Sequence, residues 1–90
     1  MNIGQLVITN GISEMTKKNT DFAKFFISSI EKYLDKDWGN TCESDCVMND
    51  EAVKTGDDRI VALYNHELGD IFIITEWDRS VTTVLFCDEY

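Results

Sequence analysis

Asp70-Ile71-Phe72-Ile73-Ile74-Thr75-Glu76-Trp77-Asp78-Arg79-Ser80-Val81-Thr82-Thr83-Val84-Leu85-Phe86 is the stretch whose reading decides the fold. Ile71 to Thr75 is β-branched or aromatic at every position, the composition of a strand in the middle of a sheet. Val81 to Phe86 repeats that character. Between them Asp78-Arg79-Ser80 is short and polar, so the two runs predict a hairpin. Upstream, Arg59 to Asn65 carries Ile60, Val61, Leu63 and Tyr64, and His66-Glu67-Leu68-Gly69 has the make-up of a second hairpin loop. Three strands with tight connections make an antiparallel meander, which needs a cover on one face.

The cover lies earlier in the chain. Phe22, Phe25, Phe26, Ile30, Tyr33 and Leu34 recur at helical spacing, with Lys24, Ser28, Glu31 and Lys32 on the other side. Asn19 or Thr20 can cap this helix, and Asp21 suits its first turn. Before it, Gln5 to Thr9 reads as a strand, Asn10-Gly11 as a turn signal, and Ile12 to Lys18 as a helical turn or a loop. After it, Asp37-Trp38-Gly39-Asn40 reads as a turn. Ser44 or Asp45 then caps a short helix that ends near Thr55, with Gly56 in the left-handed terminal position. Val47, with Cys46, Met48, Ala52 and Val53, is the expected buried side of that helix. The predicted architecture is α+β in a single domain over residues 1–90. Its antiparallel sheet consists of the C-terminal three-stranded meander plus an N-terminal strand, packed on one main helix. A short acidic helix or loop is inserted between helix and meander.

Ninety residues carry 17 acids against eight lysines and arginines, a formal charge of −9. Such a chain is repelled by nucleic acid and by anionic membrane, so neither is an expected partner. A basic protein surface is. The charge is not uniform. Residues 35–58 hold Asp35, Asp37, Glu43, Asp45, Asp50, Glu51, Asp57 and Asp58 against Lys36 and Lys54, a net −6 of the −9. Cys42, Cys46 and Cys87 make an odd count, which does not suit a secreted disulfide framework. Met1 to Thr9 lacks the basic and apolar blocks of a signal peptide, and no apolar run reaches the length of a membrane span. The expectation is a cytoplasmic protein.

Few catalytic or metal chemistries fit. Cys42 and Cys46 share a helical face, but Cys87 and His66 stand far off in sequence, whereas structural zinc sites show paired ligands twice over. Asp35, Asp37 and Gly39 hint at a calcium loop. The glycine is one position early, and Cys46 stands where the bidentate glutamate belongs. His66 is the only histidine, in a loop beside Glu67, with no nucleophile motif around it. The five glycines are isolated and form no phosphate-binding loop. No cofactor, metal or catalytic residue is expected. The side chains that stand out are Glu76, Trp77, Asp78 and Arg79. They form either a structural hairpin, with Arg79 paired to Glu76 or Asp78 and Trp77 over the core, or a recognition surface.

The block from Ile73 to Phe86 and the ending Asp88-Glu89-Tyr90 resemble a family of small acidic proteins. These occur on plasmids, phages and integrative elements of Firmicutes, commonly labelled plasmid-related protein and in some cases a type I restriction subunit. Gln5 to Thr9, the phenylalanine-rich helix and Asp37-Trp38-Gly39 are similar to the same family, so the resemblance spans most of the chain. Cys87 departs from it, standing where the family ending has proline. What the resemblance implies is a setting on mobile DNA. The expected function is therefore a non-enzymatic acidic binding protein of a phage or plasmid. It would inhibit a host defence nuclease, as an anti-CRISPR or antirestriction protein, by occupying a basic nucleic-acid-binding surface through mimicry. Its expected contact residues are Asp35, Asp37, Trp38, Glu43, Asp45, Asp50, Glu51, Asp57, Asp58, Glu76, Trp77 and Asp78. The alternative is a small accessory protein of element maintenance whose charge serves solubility and which self-associates, as a homodimer, through the sheet edge or exposed aromatics.

Overall fold

Alternation along the three C-terminal strands sorts their side chains onto two faces. In the computed structural model, which describes residues 1–90, β2 (Ile60–Tyr64), β3 (Ile71–Thr75) and β4 (Val81–Phe86) form the predicted meander. Ile60, Ala62, Tyr64, Ile71, Ile73, Thr75, Thr82 and Val84 point to one side and are buried. The register confirms the common face: Ile60 lies opposite Thr75, Ala62 opposite Ile73, and Ile73 opposite Val84. Each fully buried isoleucine there contributes about 1.5–3 kcal/mol of apolar transfer.

Besides the expected main helix and acidic helix there is a third, at the N-terminal end. This helix, α1 (Asn10–Lys18), takes in the Asn10-Gly11 turn signal and the whole stretch from Ile12 to Lys18 that reads as a helical turn or a loop. Thr9 caps the helix, its side chain accepting the Ile12 N–H at 3.3 Å. Asn10-Gly11 therefore sits in a helical first turn and not in a chain reversal. α2 (Thr20–Leu34) is the predicted aromatic helix, capped by Asn19, whose Oδ1 accepts the Phe22 N–H at 2.9 Å. Phe22 and Tyr33 are buried and Leu34 is exposed.

α3 (Glu43–Thr55) fills the acidic insertion and ends at Gly56, left-handed at φ 71°, whose N–H reaches the Ala52 carbonyl at 2.8 Å. Its N-cap is Cys42, with no side-chain hydrogen bond, in place of Ser44 or Asp45. Glu43 and Asp45 in the first turn complement the dipole instead. Asn49 and Ala52 face inward, while Val47 and Met48, expected inside, are exposed at 62% and 59%.

The sheet is mixed, not wholly antiparallel. β1 (Gln5–Ile8) runs parallel to β4, giving the order β1-β4-β3-β2. Its direction is set by its ends: the Gln5 N–H bonds Ser80 and the Thr9 N–H bonds Val84, which leaves Thr9 where α1 begins. A buried chain of hydroxyls ties this edge down. Tyr33 Oη lies 2.6 Å from Thr75 Oγ1, which lies 2.7 Å from Thr82 Oγ1, which donates to the Ile3 carbonyl at 2.7 Å. The last acceptor has no proton to give, so every donor in the chain points the same way, from α2 toward β1. No helix is long and apolar enough to cross a membrane.

Candidate partner-binding surface

α3 lies along the outer edge of β2, and the hydrogen bonds that hold it there decide where its charges go. Asn49 Nδ2 donates to the Val61 carbonyl at 2.9 Å, and Asn49 Oδ1 accepts the Val61 N–H at 3.2 Å. With Asn49 and Ala52 turned to the strand, the helical period sends Glu43, Val47, Asp50, Glu51 and Lys54 outward. The segment before α3 closes on the same edge: the Asn40 N–H donates to the Leu63 carbonyl at 2.8 Å, and the Leu63 N–H donates to Thr41 Oγ1 at 2.8 Å.

Arg79 secures the far end. At φ 62° it turns back, and its guanidinium donates to the carbonyls of Ala52 at 2.8 Å, Asp58 at 2.7 Å, Glu76 at 3.2 Å and Trp77 at 3.2 Å. It pairs with neither the Glu76 nor the Asp78 carboxylate, contrary to the hairpin expectation. Its charge instead serves one C-terminal carbonyl of α3, that of Ala52, and three carbonyls of the neighbouring turns. The clasp brings the β3–β4 turn against the end of α3, beside Asp57 and Asp58. Asp78 accepts hydrogen bonds from Ser80 Oγ at 2.6 Å and from the Ser80 N–H at 3.0 Å, which hold its pKa below the ordinary carboxylate value. Trp77 is 64% exposed, not a lid on the core.

The remaining expected residues belong to the turn after α2. Asp35 is the C-cap of α2. Asp37 Oδ1 accepts the Gly39 N–H at 3.1 Å, and its carbonyl accepts Tyr64 Oη at 2.8 Å. Gly39 is required there, at φ 61° with the Tyr64 ring where a Cβ would stand. That turn drives Trp38 inward. It is 5% exposed, packed edge-on to Tyr33, with Nε1 donating to Asp50 Oδ1 at 2.9 Å. Trp38, expected as an apolar anchor, is a core residue, and Asp50 is partly spent on holding it.

Of the expected contact residues, Glu43, Asp45, Asp50 and Glu51 are exposed on α3, Asp57 and Asp58 follow its end beside the Glu76–Asp78 turn, and Asp35 and Asp37 are exposed in the turn after α2. Two hollows open beside α3; Met48 and Asp58 line both, and Arg59 lines one of them. Val47 and Met48 were missed because the helix was phased on its apolar residues. The inward-facing polar Asn49, matched to a strand backbone, was the signal that would have corrected the phase.

No lysine or arginine lies within ion-pair distance of any carboxylate. The one close contact of a basic side chain with a carboxylate is His66 Nε2 to Asp21 Oδ2 at 3.2 Å, away from α3. There Nδ1 accepts the Leu68 N–H at 3.1 Å. Both ring nitrogens are engaged, and the ring packs on Phe22 and Phe25. Burial pushes the thiols of Cys46 and Cys87 up, with nearby acids adding to the effect, opposite to what a thiolate nucleophile requires. Compared with known proteins, the chain matches no family model, no curated protein and no solved structure.

Proposed function

We propose that this chain is a non-enzymatic binding protein that presents the outer surface of α3 to a basic protein surface of the kind that holds nucleic-acid phosphates. The observation that carries this reading is the outer surface of α3: exposed carboxylates, none of them in an ion pair with a lysine or arginine, beside an exposed Val47–Met48 pair, on a helix bonded to the β2 edge and to Arg79. Negative charge on a rigid element can enter a phosphate-binding groove, and the net −9 speeds the encounter. The apolar pair supplies the desolvated centre that charge alone lacks, with Trp77 in the turn beside the end of α3 as an aromatic contact. The resemblance to proteins of plasmids and phages makes a host defence nuclease, a restriction or CRISPR effector, the owner of that groove.

The test is transfer of a targeted plasmid into hosts carrying one defined restriction or CRISPR nuclease, with this chain expressed beside it. Protection is expected from the native chain. It should fall at least tenfold for Glu43→Gln, Asp45→Asn, Glu51→Gln and Asp57→Asn combined, and also for Met48→Ser. Binding of the purified nuclease should weaken as salt rises. Equal protection from the neutralised chain, or none from the native chain against any nuclease tried, overturns the reading.

A further inference from the structure

The two edges of the sheet are treated differently. Along β2 every outward backbone group is satisfied: Val61 by Asn49, Leu63 by Asn40 and Thr41, and the Asn65 N–H by Asn40 Oδ1 at 3.0 Å. β1 has no such cover. The N–H groups of Gln5 and Thr9 bond inward to β4, so by alternation the N–H and C=O of Leu6 and Ile8 point out of the sheet. Their side chains and that of Val7 are exposed at 42%, 36% and 40%. The strand carries no proline, lysine or bulge, the usual guards of an edge.

We propose that β1 pairs with β1 of a second copy, antiparallel about a twofold axis at Val7, to make one continuous eight-stranded sheet. Three observations choose this occupant. First, there is no charged side chain from Met1 to Ser13 or from Ser80 to Cys87. In a chain of net −9 this is the side on which a like-charged copy can approach, with the Glu89 carboxylate held at its end by the Thr9 hydroxyl at 2.8 Å and the Phe86 N–H at 2.7 Å. Second, the strand is self-complementary. Placing Val7 opposite Val7 sets Leu6 against Ile8 on each side, and those are the residues with outward groups, so each pair exchanges two hydrogen bonds. Leu6 and Ile8 of both copies then meet on the helix side, and the two Val7 side chains meet on the open face. Third, the closed β2 edge leaves β1 no other edge of this chain to add to, so the contact is isologous. The proposal is independent of the acidic surface of α3, which lies at the opposite edge.

The experiment uses the full chain with Cys42, Cys46 and Cys87 replaced by serine, with Val7→Cys or Thr83→Cys added. Across the axis the two residues at position 7 face each other at disulfide reach. Position 83 lies on the next strand in, about 14 Å from its counterpart by strand spacing. Under mild oxidation Val7→Cys is expected to give a disulfide dimer and Thr83→Cys to remain monomeric. Light scattering of the native chain should show a dimer that tightens as salt rises, because two like charges are screened, opposite in sign to binding at α3. Leu6→Lys with Ile8→Lys, folded by circular dichroism, should be monomeric. A native monomer at every concentration, a folded Leu6→Lys/Ile8→Lys dimer, or equal cross-linking at positions 7 and 83 overturns the proposal. If the double lysine variant does not fold, the comparison of positions 7 and 83 decides it alone.

Discussion

Thr82 does more than its place in a β-branched run suggests. Its hydroxyl donates to the Ile3 carbonyl and receives Thr75, whose own hydroxyl receives Tyr33. Thr82→Val keeps the shape and removes the link, leaving a buried carbonyl and a buried hydroxyl short of partners, at a cost of about 1–3 kcal/mol. A denaturant midpoint should report that loss. Thr83→Val, on the open face, should change stability by less than about 0.5 kcal/mol. The tyrosines at the helix side of the sheet set the alkaline limit. Burial pushes the Tyr33 phenol up to about 12 from its ordinary 10.0, and burial raises Tyr64 as well. A folded value above the unfolded one favours the protonated, folded chain. Stability from these groups is therefore complete below pH 10 and lost as pH rises through about 12. Tyrosinate absorbance from Tyr33 and Tyr64 should appear together with the loss of the sheet signal in circular dichroism, and Tyr33→Phe should hold the fold to higher pH.

At the scale of elements, what was legible in the sequence followed the local physics. The meander could be read because β-branched side chains at period two need no distant information. α2 could be read because its aromatic stripe is long and its cap local. α1 was hidden by Asn10-Gly11, a turn pair that Thr9 converts into a capped first turn. The phase of α3 was hidden because its inward face is chosen by Asn49 bonding a strand edge, which apolar periodicity does not register. The direction of β1 was hidden because it rests on contacts to Ser80 and Val84, far along the chain. Arg79 shows the same point for the candidate site. As a charge beside Glu76 and Asp78 it reads as an ion-pair partner, yet its position under α3 gives it carbonyls instead. Its removal tests the clasp. Arg79→Gly relieves the left-handed backbone but loses four carbonyl contacts, so α3 should loosen by about 1.5–3 kcal/mol. The readout is faster amide exchange confined to the last turn of α3 and the β3–β4 turn; exchange unchanged there would mean the clasp carries no stability.

At the scale of the molecule, charge and edge divide the protein in two. Charge gathers where helix α3 shuts the sheet, and the apolar, charge-free strand lies at the other side. The composition showed the first half of this division, since the segment from Asp35 to Asp58 stands out in a simple count. It did not show that Trp38 would be taken into the core, which follows from a glycine turn that only the packed Tyr64 ring explains.

The closure of β2 by Asn40, Thr41 and Asn49 also has a meaning in the language of polymer chemistry. A monomer with two reactive ends grows chains, and one with a single reactive end stops at a pair. Strand addition is such a reaction, and this molecule is monofunctional in it. Opening the second end takes the loss of the Asn40, Thr41 and Asn49 covers together, and would turn a unit that stops at a pair into one that propagates, with fibrous growth as its product.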